Sequence, residues 1–353
     1  GIIFWGMGVS QHVHGTDNAR CLISLALMTG NVGRRGSGLH PLRGQNNVQG
    51  ASDAGLIPMM YPDYQLVEKN DKKDFFEKFW DSPLDDKKGL TVVEIMDAIH
   101  ENTIKGMYIL GENPAMSDPD LNHAREALQM LEHLVVQDIF LTETATYADV
   151  IFPASAWPEK NGTATNTNRQ VQMGRKAIDA PGAAKEDWWI TNELGKRMGL
   201  AWKYEHPSEI YEEMSKTMPS LNNITWDRLE NENSVTYPSR SPTTPGDEIV
   251  FGDKFPNETG RGKFVPASVT SPNEVPDEEF QMILTTGRQL EHWHTGAMTR
   301  KASNLDAIEP EATVSISPSE ILKKNMKPGD KIKVSTRRGT VNIRVREDRA
   351  IPE

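Results

Sequence analysis

The sequence has a single cysteine, Cys21. That excludes a disulfide framework, and it excludes a zinc or iron–sulfur site built from cysteines of this chain. Cys21 falls within an apolar helical pattern, so it is expected to be a buried structural thiol. No apolar run reaches the ~18 residues that a membrane-spanning helix needs. Positive charge is also scarce: 39 Lys and Arg face 50 Asp and Glu, a net charge of −11. Non-specific nucleic-acid binding is therefore not expected, although a local basic pocket for an anion is compatible with the balance. Internal repeats and low-complexity blocks are lacking. What remains is ordinary globular composition, 37% hydrophobic and 25% charged over 353 residues, enough for two or more cores. The chain opens on "GIIFW", which reads as a core strand, and stops at "VREDRAIPE" without a closing element. These ends read as those of a piece excised from a longer protein.

Strand–helix alternation dominates the first half. After the first strand, Thr16 or Asp17 is expected to cap a helix whose buried face carries Ala19, Leu22, Ile23, Ala26 and Leu27, with Gly30 ending it. Residues 91–101 read as a helix and 106–110 as a strand. A helix is expected to open at Asp118 and Pro119, followed by the strand "HLVVQ", a short helix over 142–148 and the strand "DVIFP". Such alternation predicts a parallel sheet, with ligands at the carboxyl ends of its strands. "NGTATNTNRQVQ" suggests a hairpin, and 186–198 a helix stopped by Gly199. Residues 229–248 lack periodicity and read as a linker or long surface loop. From Phe280 the pattern turns to β: "FQMILTTG" as a strand, then a hairpin around Arg337, Arg338 and Gly339.

Several motifs bear on chemistry. Gly6 to Gly8 after a strand suits either an anion-binding turn or a plain tight turn. Gly111 to Pro114 suits a nucleotide or an ordinary β–α turn. Gln137, Asp138, Thr142 and Ser155 cluster polar groups at successive strand ends. His292 and His294 lack a third ligand of suitable spacing, and with Arg288 and Arg300 they fit hydrogen bonding to a phosphate or a pterin-like heterocycle better than a metal. The sharpest stretch is "LRGQNNVQGASD", Leu42 to Asp53. Its one arginine offers a fixed, always charged fork for a planar carboxylate, or else a structural ion pair.

In this order, "GMGVSQH", "LMTGNVGRRGSGLHPLRGQNNVQGASD", "GENPAMSDPD", "VVQDIFLTETATYADVIFPASAWPEKNGT", "DWWITNELGKRMG" and "TTGRQLEHWHTGAMTR" resemble the molybdopterin oxidoreductase family, most of all its formate dehydrogenase catalytic subunits. The resemblance covers almost the whole chain. It implies Rossmann-like α/β domains of parallel sheet followed by a mostly β, double-psi-barrel-type module, truncated. The implied boundaries are residues 1–45 and 46–157 for two cofactor-binding α/β parts, 158–250 for a mixed segment and linker, and 276–353 for a partial dinucleotide-binding barrel.

The implied cofactor is bis-molybdopterin guanine dinucleotide with molybdenum or tungsten, together with an Fe4S4 cluster whose ligands this chain lacks. The implied reaction is oxidation of formate to carbon dioxide. The implied partners are electron-transfer subunits, NAD- and flavin-linked, in the cytoplasm, with no nucleic acid and no membrane span. By the same resemblance Arg43 and Gln45 are catalytic, with Gln45, Asn46 and Asn47 expected to lock the arginine. Gly8, Gln11, Gly111, Glu112, Gln137, Asp138, Ser155, Asp187, Arg288, Gln289 and His294 are expected to bind cofactor. The piece alone is expected to be inactive. Another family member such as a nitrate reductase, or a cofactor-free structural subunit of a respiratory complex, stands as the alternative.

Overall fold

The computed structural model describes residues 1–352. They form two compact units, Gly1–Glu112 with Asn122–Val269, and Asn113–Leu121 with Thr270 onward.

In the first unit, Gly106–Leu110, His133–Asp138 and Val150–Pro153 form a parallel sheet in that order. Its register sets Leu110 beside Gln137 and Asp138 beside Pro153, so the strand ends line up along one edge. The central strand buries Leu134, Val136 and Gln137, as a parallel strand covered on both faces should. The helix Val92–His100 starts with a capping box in which Thr91 and Glu94 satisfy each other's backbone N–H groups, and it buries Met96, Ala98 and Ile99. The helix Leu121–Met130 buries Ala124, Ala127 and Leu128. It begins later than expected. In the stretch Asn113–Leu121, which belongs to the second unit, Asp118 instead closes the short helix Pro114–Ser117, and Asp120 stands in the left-handed region (φ 47°), which breaks any continuous turn. The helix expected over 142–148 is the shorter 3-10 turn Thr144–Tyr147.

A second parallel pair, Ile2–Trp5 and Gly38–Pro41, is joined by the helix Gly15–Met28. His14 occupies the N-cap in place of Thr16 or Asp17, and Cys21 is exposed rather than buried. The fully buried residue of this helix's apolar pattern is Ala26, and Ile23 is well exposed. The carboxyl ends of the pair are tied by Leu42 N–H donating to Trp5 O at 2.6 Å, so Gly6 and Arg43 emerge side by side.

The hairpin Gly162–Thr165 and Gln170–Gly174 forms as expected, and Ser234–Thr236 adds a third antiparallel strand. That strand corrects the linker reading of 229–248. Leu229 and Val235 belong to a core with Val171, Tyr211, Met218, Leu221 and Ile224. The polar stretch beyond it wraps a buried guanidinium. Arg228 donates to the carbonyls of Asn223, Ser241 and Thr244 and to Ser239 Oγ, and it pairs with Glu232. A guanidinium satisfies several loop carbonyls at once, so this order leaves no trace in hydrophobic periodicity.

In the second unit, Thr313–Ile316, Gly339–Glu347 and Lys331–Thr336 form a three-stranded sheet in that order over a core of Ile316, Ile321 and Val345. The strand expected at 280–287 is not formed. Met282, Ile283 and Leu284 are all exposed, and this stretch has no ladder partner among the described residues. Consecutive apolar residues without a neighbouring edge do not make a strand.

Candidate functional site

Arg43 follows the Gly38–Pro41 strand and opens onto a polar cleft of about 470 Å3, whose walls include Gln45, Asn46, Gln49, Trp157, Thr165 and Gln172. Its guanidinium donates from Nη1 to Gln49 Oε1 at 2.9 Å and from Nη2 to Ser52 Oγ at 3.2 Å. Ser52 sends its own hydroxyl proton to Val48 O at 2.8 Å, which leaves its oxygen free to accept. The fork carries more N–H donors than these two bonds use, and the remainder are available to an anion.

The lock on Arg43 is therefore Gln49 and Ser52, not the expected Gln45, Asn46 and Asn47. Gln45 and Asn46 line the cleft, and Asn47 Oδ1 accepts from Thr165 N at 2.9 Å, pinning the loop to the hairpin. Gln49, Ser52 and Asp53 lie on the short helix Val48–Asp53 at i, i+3 and i+4 spacing, hence on one face. That spacing was readable and is the signal that could have found them. Gly50 is required by crowding: a Cβ there would meet Asn47 Oδ1 at 2.2 Å and Thr165 N at 3.2 Å.

Behind Gln49 stands a buried carboxylate. Asp53 is 4% exposed. Its Oδ1 accepts from Gln49 Nε2 at 2.6 Å and its Oδ2 from the Tyr237 hydroxyl at 3.0 Å. Gln49 Nε2 also lies 3.2 Å from the Tyr64 hydroxyl. Burial raises the Tyr64 and Tyr237 hydroxyls above the ordinary phenol value, and the Asp53 charge adds to it, with Arg43 pulling Tyr64 the other way. Tyr237 lies 184 residues from Asp53, within the stretch that reads as linker, so no local signal announces it.

A second polar cluster sits at the ends of the central parallel sheet. Gln137 is fully buried. It accepts from the Tyr108 hydroxyl and donates to Asp187 Oδ1 at 2.7 Å. Asp187 also pairs with Lys160, whose ammonium reaches Ser155 O at 3.0 Å. Lys160 and Tyr108 belong to this cluster, and the motif reading did not single them out. Asp138 is half-buried, and burial raises its pKa above the usual carboxylate range against the pull of the Phe140 and Ile139 N–H groups. Gly111 stands at φ +66° with open space where a side chain would be, and its N–H donates to Gln137 O at 2.9 Å. Glu112 beside it is exposed. Ser155 Oγ is buried yet has no hydrogen-bond partner among the described residues. Orphaned buried hydroxyls are rare, and one on the same sheet edge as an open glycine and a half-buried carboxylate suits a polar heterocyclic ligand.

In the turn after the first strand, Gly8 has open space above it, its carbonyl lies 2.7 Å from His12 Nε2, and the exposed Gln11 closes the turn. Arg288, Gln289 and His294 belong to the second unit. Arg288 is exposed, Gln289 donates to Glu291 at 3.1 Å, and His294 packs on Trp293 in the left-handed region (φ 52°). His292 is held by Glu309 O at 2.7 Å and Thr299 Oγ1 at 3.3 Å.

Two family models match the chain, molybdopterin oxidoreductase over residues 1–197 and molydopterin dinucleotide binding domain over 282–353. The chain belongs to the molybdopterin oxidoreductase family. Its mixed α/β fold and its cofactor, a molybdopterin dinucleotide, are those expected of a family member. Among relatives, it is 45% identical to the F420-dependent formate dehydrogenase subunit alpha of Methanocaldococcus jannaschii, over 98% of this chain and 51% of that one. It is 42% identical to the F420-dependent formate dehydrogenase 2 subunit alpha of Methanococcus maripaludis, over 98% of this chain and 51% of that one. The chain of this molybdopterin oxidoreductase thus spans about half the length of these relatives. A putative formate dehydrogenase of Bacillus subtilis is 38% identical over 97% of this chain and 34% of its own. Among solved structures, acetylene hydratase from Pelobacter acetylenicus shares the fold, with a TM-score of 0.55 at 19% identity over 74% of this chain and 38% of that one.

Proposed function

We propose that this chain forms part of the catalytic subunit of a formate dehydrogenase, oxidising formate to carbon dioxide with release of a proton and two electrons. The observation that carries the reading is Arg43: an arginine fixed on two sides, with donors to spare, facing a cleft walled by side-chain amides. A planar carboxylate is the ligand that such a fork fits, and pairing with it would aim the formate C–H bond. Gln45 and Asn46 supply further polar contacts from the cleft wall.

The cofactor is read as bis-molybdopterin guanine dinucleotide carrying molybdenum or tungsten, which when bound supplies the two-electron chemistry. Within the first unit, Gly111, Glu112, Gln137, Asp138, Ser155 and Asp187, with Lys160, are read as cofactor contacts at the sheet edge, and Gly8 and Gln11 as contacts at the first strand turn; Arg288, Gln289 and His294 are read separately as cofactor contacts of the second unit. An Fe4S4 cluster bound outside this chain's single cysteine would take the electrons onward. The NAD-linked acceptor expected from the sequence draws no support from the first relatives, whose names specify F420, so the partner subunits are read as serving an F420-type deazaflavin. Neither a nitrate reductase nor a cofactor-free structural subunit has comparable support.

Arg43→Lys in the full-length enzyme tests the reading. It keeps the charge and loses the fork. Losing one charge-assisted hydrogen bond should lower formate kcat/KM by about ten-fold or more. Wild-type kcat/KM in a fully loaded variant contradicts the assignment.

A further inference from the structure

The chain places a buried anion behind the arginine, with a neutral amide between them. We propose that Asp53 is a positioning residue that sets the direction of Arg43 through Gln49, and that Tyr237 holds Asp53 for that task. This rests on reading Arg43 as the clamp for the substrate carboxylate.

An amide side chain can present either its oxygen or its NH2 to a neighbour. Arg43 offers only donors, so Gln49 must turn its oxygen toward it. Asp53 decides that choice, because its carboxylate accepts the Gln49 NH2 at 2.6 Å and would repel the oxygen. The Tyr237 hydroxyl, 3.0 Å from the other carboxylate oxygen, keeps Asp53 from rotating away. The series is directional: Tyr237 donates to Asp53, which accepts from Gln49, which accepts from Arg43. Asp53 is 4% exposed and does not itself line the cleft; it meets Gln49, which does, and it also acts on the Tyr64 hydroxyl beside Arg43. Its charge also offsets part of the guanidinium charge at a distance, without occupying the N–H groups that face the cleft.

Neutralising Asp53 removes the preference. In Asp53→Asn the new amide can donate as well as accept, so Gln49 can flip and turn its NH2 to Arg43, and the fork loses its support on the Nη1 side. The loss should fall mainly on anion binding, with KM rising more than kcat falls.

The experiment uses the full-length, cofactor-loaded enzyme. It compares wild type, Arg43→Lys, Asp53→Asn, Gln49→Leu and the Asp53→Asn/Gln49→Leu pair. Formate kinetics are measured beside calorimetric titration with nitrite, a bent two-oxygen monoanion of formate's size, so that binding is also read without turnover. Asp53→Asn is expected to raise formate KM and nitrite Kd by about ten-fold, the loss of one charge-assisted hydrogen bond, with cofactor content unchanged. Because the groups act in series, the double variant should bind no more weakly than Gln49→Leu alone. Additive losses in the double variant overturn the relay. If Arg43→Lys binds both anions like wild type, the substrate reading falls and this inference falls with it. If Arg43→Lys is impaired while Asp53→Asn is not, the substrate reading stands and this inference alone is overturned. Should Asp53→Asn fail to retain cofactor, Tyr237→Phe carries the test. It removes one hydroxyl and should raise KM by about two- to five-fold, and an unchanged KM overturns the inference.

Discussion

Arg43 spends two bonds on neutral oxygens, Gln49 Oε1 and Ser52 Oγ, rather than on a carboxylate. A direct ion pair would have consumed the charge that the cleft needs. Placing Asp53 one residue behind the arginine supports the fork while leaving its outer edge open. This is why the Lys and Asn replacements described above, at Arg43 and Asp53, should act on binding first. Asp138 makes a different residue-scale case. Burial raises its folded pKa, so its contribution to stability is complete below the unfolded carboxyl value and is lost as pH rises through the folded one. Asp138→Asn should therefore melt higher than wild type near about pH 7 and equally near about pH 3, as a thermal scan of the two proteins at both pH values can check. A higher-melting wild type at neutral pH contradicts the burial argument.

At the scale of elements, what was legible followed periodicity and caps. The apolar pattern over 91–101 announced the Val92–His100 helix, and the polar, turn-rich stretch "NGTATNTNRQVQ" announced the hairpin. Parallel alternation placed Gln137, Asp138 and Ser155 at strand ends because polar residues there interrupt apolar runs at a predictable position. Order made by a single polar residue was not legible. Arg228 converts 239–244 from an apparent linker into a fixed loop through carbonyl contacts that carry no period, and Tyr237 reaches Asp53 across 184 residues. The amides next to Arg43 in sequence looked like its support, yet helical geometry gives that role to Gln49 and Ser52, six and nine residues on. Arg228→Ala should leave several carbonyls unsatisfied and cost roughly 3 kcal/mol or more. Urea unfolding would measure it, and proteolysis should cut the 239–247 loop faster. A change under about 1 kcal/mol would mean the loop is ordered by something else.

At the scale of the whole molecule, the candidate residues fall in two units. The first carries Arg43, its support and the sheet-edge cluster, and the second carries the Arg288 to His294 stretch of the dinucleotide-binding domain. A net charge of −11 gives no overall field that would draw in an anion, so on the proposed reading recognition rests on local geometry. The family membership makes the cofactor a molybdopterin dinucleotide, and formate as substrate is the proposal that rests on reading Arg43 as a carboxylate clamp. The most direct measurement is formate-dependent reduction of F420 by the purified full-length protein with its partner subunits, alongside its molybdenum or tungsten content. A metal-loaded enzyme is expected that reduces F420 with formate and loses about ten-fold or more of that kcat/KM in Arg43→Lys. A metal-loaded protein that reduces neither F420 nor an artificial dye when given formate would contradict the formate reading.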